Sequence, residues 1–98
     1  MGRAARPRPQ RLAEKLQQIR LSLNLSQTEM LYRLGLEESI GYMAIAGNEL
    51  GYREPNLLEL LQYARLANVY LDVLVDDELD LPDKLPALKK HEGIKRSK

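Results

Sequence analysis

From Arg11 onward, apolar side chains recur at helical intervals: Leu12, Leu16, Ile19 and Leu23, with Lys15 and Arg20 between them. This spacing predicts a first helix over about 10–23, and Asn24 stands where a left-handed residue would close it. Ser26 followed by Glu29 is a capping box, in which hydroxyl and carboxylate each satisfy an orphan amide. It opens a short second helix over about 27–34, with Met30, Leu31 and Leu34 on the apolar side and Gly35 as the stop. "LEESIGYMAIAGNEL" is less regular, because Gly41 and Gly47 each weaken a helix by roughly 1 kcal/mol relative to Ala. It reads as a loop through Glu37 and Glu38, then a third helix over about 40–50 ending at Gly51. Pro55 and Asn56 open a fourth, over about 56–67, with Asn56 and Glu59 forming a second capping box. Its buried side is expected to be Leu57, Leu60, Leu61, Ala64 and Leu66 or Ala67, with Asn68 at its end. "VYLDVLVDD" gives a fifth, over about 71–75.

No β-branched alternation is long enough for a sheet, so the fold class is all-α, a compact five-helix bundle. The domain spans 10–81. Before it, "GRAARPRP" alternates Arg with Pro, which disfavours helix, so residues 1–9 read as a flexible basic arm. After it, residues 82–98 carry Pro and Lys with few large apolar residues and read as a disordered basic tail.

Composition narrows the chemistry. A chain of 98 residues holds one small domain. It has no Cys and a single His, His91, so no thiolate or His-based metal site and no catalytic triad can be assembled. The reading is therefore non-enzymatic, with no metal and no cofactor. No apolar run approaches the roughly 20 residues of a membrane span, and no secretory h-region opens the chain. A cytoplasmic protein is expected. The net charge is only +1, but it is segregated. Residues 1–25 hold six Lys/Arg against Glu14, and residues 84–98 hold six against Glu92. Residues 56–83 hold Arg65 against seven acids. Basic ends serve an acidic partner such as nucleic acid, or they merely keep a chain soluble.

"LSQTEMLYRLGL" followed by "IAGNELGYREPNLLELLQYARLANVYLDVLV" resembles the Cro and lambda-repressor-type helix-turn-helix proteins, also called the Xre family. The likeness covers about residues 11–75. It implies a lambda-repressor-like fold in which helices 2 and 3 form a DNA-reading unit, a homodimer on a short inverted repeat of double-stranded DNA, and a role in transcription regulation, repressor-like in type. By the same likeness Glu49 pairs with Arg20. Gln27 bonds a phosphate or buttresses a base reader. Tyr42, Met43, Ala44 and Gly47 face the major groove, and Tyr52 and Arg53 face the DNA backbone. Met30, Leu34, Ile45, Leu57, Leu60, Leu61 and Leu74 are core. The arm residues Arg3, Arg6, Arg8 and Arg11 and the tail lysines are expected to supply most of the non-specific affinity. The apolar residues of helix 5 and of the segment Tyr70 to Leu81 are expected to form the dimer interface.

The chain departs from the family pattern in four places. About four extra residues lie between Gly35 and Glu49. The groove-facing positions lack the Arg, Gln or Asn that read purine edges. Asn48 replaces an apolar residue, and Glu37 and Glu38 place negative charge where phosphates should run. These features also suit a different reading, a helix-turn-helix-fold protein-interaction module that binds a partner, antitoxin-like or in transcription, through its acidic C-terminal segment.

Overall fold

The computed structural model describes residues 7–86, and within them the regular secondary structure is all α-helical, with no strand. The five helices are α1 (Leu12–Ser22), α2 (Gln27–Arg33), α3 (Tyr42–Leu50), α4 (Leu57–Ala67) and α5 (Leu71–Val75). Arg3, Arg6 and the tail beyond Pro86 lie outside the described residues.

Local chemistry sets most of these boundaries. The Ser26 hydroxyl accepts from the Glu29 amide at 3.0 Å, and the Glu29 carboxylate accepts from the Ser26 amide at 2.8 Å. Asn56 and Glu59 repeat the exchange at the start of α4. Asn24 and Asn68 adopt left-handed backbone after α1 and α4, as short polar residues can. Gly51 ends α3 at φ +86°, where a Cβ would be strained although nothing crowds it closer than 4.0 Å. Gly51→Ala should therefore cost about 1–2 kcal/mol, from backbone conformation alone. A denaturant midpoint lowered without a change in slope would show this, and an unchanged midpoint would contradict it.

Leu12, Leu16 and Ile19 of α1 meet Met30, Leu31 and Leu34 of α2, Ile45 of α3, and Leu60, Tyr63, Ala64 and Ala67 of α4 in one core. Leu74 of α5 and Leu81 beyond it complete it. α1 packs on α3 and α5, α2 on α3, and α4 on α5. α1 is thus the central strut, and α3 is held between α1 and α2.

Two expectations about the core need correction. Leu57 is 75% exposed rather than buried, and Leu61 is only partly covered. The cause is Glu59, which turns inward to meet Arg53. Residues two apart on a helix point to different sides, so an inward Glu59 leaves Leu57 outside. Tyr63 takes a place in the core that the apolar count had assigned to leucines. Its burial pushes the phenol up to about 12.

The two ends of the domain are clasped together. The carboxylate of Asp77 accepts from the backbone amides of Gln10 and Arg11, the two residues that lead into α1. Those amides hold the Asp77 carboxyl below its ordinary range. In return, the wholly buried Lys15 of α1 donates to the carbonyls of Val73 and Asp76 at 2.8 and 2.9 Å, at the C-terminal end of α5. Arg11 adds bonds to the Asp77 carbonyl and to the carboxylates of Asp80 and Glu14.

Candidate nucleic-acid interface

α3 has an inner face tied to three other segments and an outer face open to solvent. On the inner side, Ile45 enters the core, and Asn48 and Glu49 are buried beside it. Arg20 of α1 meets Glu49 bidentately, its Nε donating to Oε2 at 2.7 Å and its Nη2 to Oε1 at 3.0 Å. The paired side chains are 13% and 1% exposed. The hydrogen bond to Glu49 raises the Arg20 guanidinium above its ordinary range. Arg20 Nη1 also donates to the Leu25 carbonyl, in the link between α1 and α2. Gln27, the first residue of α2, sends its Nε2 to Glu49 Oε1 at 3.4 Å. One carboxylate on α3 therefore gathers donors from α1 and α2, and the Leu25 bond ties the connecting segment to the same guanidinium.

A second ionic group fixes the turn that follows α3. Arg53 Nη1 donates to Asn48 Oδ1 at 2.9 Å and to Glu59 Oε1 at 2.8 Å, while Nη2 reaches Glu59 Oε2 at 2.9 Å. The bond to Glu59 raises Arg53 above its ordinary range. The backbone amides of Tyr52 and Arg53 both donate to the Gly47 carbonyl. The turn folds back so closely that a Cβ on Gly47 would stand 3.3 Å from that of Arg53. Beneath it the Asn48 amide favours the Tyr63 phenolate, but Asn48 Nδ2 and the Tyr63 hydroxyl do not reach hydrogen-bond geometry.

These networks sort the residues singled out in the sequence. Tyr42, Met43 and Tyr52 are exposed, Met43 at 70%. Ala44 is half-buried. Gly47 is half-buried, with the turn packed close against it. Arg53 is half-buried and directs its guanidinium at Glu59 and Asn48. Gln27 is turned to Glu49. Arg8 approaches Glu54 at 3.7 Å. Arg11 is occupied by the C-terminal acids. Glu37 and Glu38 are exposed in the 34–41 connection between α2 and α3. α3 itself contributes no cation, and its one charged residue, Glu49, is buried.

The spacing of the chain does contain one signal that was missed. Lys15 lies three residues after Leu12 and four before Ile19, inside the apolar stripe of α1. Its inward position is readable from that placement, although its partners are not. Asp77 and the Asn48–Arg53–Glu59 group carry no comparable local signal. No family model, curated protein or solved structure matches the chain. Among the described residues, no helix is long and apolar enough to cross a membrane.

Proposed function

We propose that the chain is a cytoplasmic DNA-binding transcriptional regulator of the Xre type. In this reading it is a homodimer on a short inverted repeat, α2 and α3 are its helix-turn-helix, and α3 lies in the major groove. The observation that carries the reading is the bracket on α3. Arg20 and Gln27 grip Glu49 from the inner side, while Tyr42 and Met43 stand free on the other. A reading helix has to be held rigidly by one face and offered by the other. The side chains offered are apolar or aromatic, so their contacts fit thymine methyl groups better than purine edges. Affinity then comes chiefly from phosphate neutralisation by the arm, through Arg3, Arg6 and Arg8.

A second reading has its own support. α3 offers no cation, Arg53 is engaged inside the molecule, and Glu37 and Glu38 flank the exposed helix face. These features suit a protein partner at least as well as a polyanion.

Selection from random duplex DNA with sequencing, at two salt concentrations, separates the two. An enriched palindrome is the expected result, and retention without any enrichment at either salt would favour the protein-partner reading. On the selected site, removing residues 1–9 should make the slope of log affinity against log salt shallower by roughly two to three units. An unchanged slope would take the arm out of the interface.

A further inference from the structure

We propose that the cleft between the start of α1 and the turn after α3 is a binding site for a small organic carboxylate. The proposal goes beyond the regulator reading and does not depend on it. The cleft has a volume of about 230 Å³ and is lined by residues 8–10, by the first turn of α1 and by residues from 48 to 54. At about 30 Å³ per water, it holds roughly seven waters or an organic molecule of similar bulk. Hydrogen-bond donors in its lining outnumber the acceptors they meet. Arg8 makes no hydrogen bond through its guanidinium among the described residues, and its Nε stands 3.7 Å from Glu54 Oε2, too far for one. Arg53 spends Nη1 and Nη2 on Asn48 and Glu59, and its Nε has no partner among the described residues. Asn48 is 1% exposed, and its Nδ2 has no acceptor although a buried amide ordinarily finds one.

Unused donors on two guanidinium groups select an anion, and a planar carboxylate matches guanidinium geometry. The rest of the lining sets the body of the ligand. Pro9, Leu12 and Ala13 are apolar, so a carboxylate with a short hydrocarbon portion uses both kinds of wall. The volume is too small for a nucleotide or a folded partner. Glu54 limits the affinity, because a carboxylate in the lining opposes an anion. Arg8 has to turn from Glu54 toward the ligand, and the 3.7 Å separation leaves it free to do so. A carboxylate held by Arg8 and Arg53 ties the segment before α1 to the turn after α3. In the regulator reading it also withdraws Arg8 from phosphates, so the ligand would loosen the hold on DNA.

The test is a titration of the isotope-labelled full chain with butyrate, beside butyramide and sodium chloride at matched ionic strength, read by backbone amide and arginine Nε–H shifts. Butyrate should give saturable shifts at Ala13, Gly51, Glu54 and the Arg53 Nε–H, with half-saturation in the millimolar range, while Tyr42 and Tyr70 stay unmoved. Butyramide has the same bulk without the charge and should bind ~tenfold or more weakly. Arg8→Gln should weaken butyrate by a similar factor. Glu54→Gln should tighten it, since the ligand competes with that carboxylate for Arg8. Ala13→Leu should abolish it by filling the cleft. Shifts that do not saturate, or that chloride reproduces, overturn the proposal. So does equal binding of butyramide, and so does an Arg8→Gln chain that binds butyrate like the wild type. No DNA is present in the titration, so a failed cleft leaves the regulator reading standing, and a failed duplex selection leaves the cleft standing.

Discussion

Glu49→Ala should lower stability by about 3–5 kcal/mol, the range for removing one member of a buried ion pair. The substitution leaves the Arg20 guanidinium largely covered, with the Leu25 carbonyl as its remaining partner. It also removes the acceptor for Gln27. A domain of this size holds only about 5–15 kcal/mol in total. The melting temperature should fall by ~12 °C or more, at 4–8 °C per kcal/mol for a small domain. Arg20→Ala should cost nearly as much, and the double variant clearly less than the sum. Strict additivity in that cycle would mean that the pair is not coupled. An apolar replacement of both partners, Arg20→Met with Glu49→Leu, should recover most of the loss, because the penalty lies in a stranded charge more than in a lost attraction. Stability recovered in that way should not restore duplex binding if Glu49 sets the pose of α3. That outcome separates positioning from mere folding.

Lys15→Met should cost on the order of 2–4 kcal/mol. Methionine keeps the length and most of the volume of the stem and removes the ammonium. Two carbonyls at the end of α5, those of Val73 and Asp76, then lose their donor in a place water reaches poorly. A cation at a helix C-terminus is favourable in addition to its hydrogen bonds. The loss should be local in character: amide exchange should quicken in residues 73–77 and at the start of α1 before it quickens in α2 or α4. Uniform quickening would assign Lys15 to the core as a whole, and an unchanged melt would assign the ammonium no role.

Helix ends were legible in the sequence because their causes are local. Ser26 with Glu29, Asn56 with Glu59, and the left-handed positions Asn24, Gly51 and Asn68 each act within a turn of where they stand. The side of α4 that faces inward was not legible at its first turn. Leu57 looks like a core residue until Glu59 is known to be held by Arg53, and that requires the 51–56 turn to be folded first. The same turn engages Arg53 with Glu59 and Asn48 and packs closely against Gly47. Lys15 and Asp77 find their partners 58 to 67 residues away, a distance over which no periodicity reports. The Arg20–Glu49 pair spans 29 residues and entered through family likeness rather than spacing. The segregation of charge was plain in the composition. That the acids at 77 and 80 serve to anchor Arg11 and the start of α1 was not.

The clasp between Asp77 and the amides of Gln10 and Arg11 also bears on how the chain is threaded. The first turn of α1 and the segment after α5 are in direct hydrogen-bond contact, so the domain is a ring in every respect except its covalent connectivity. A short linker from just past Leu81 back to residue 10 would close that ring with little change in geometry. The exposed 37–39 turn, where Glu37 and Glu38 have no part in the core, is then the natural place to open it. In such a circular permutant α3 would lead and α2 would come last, and Glu49 would still find Arg20 and Gln27 because those contacts depend on packing rather than on chain order.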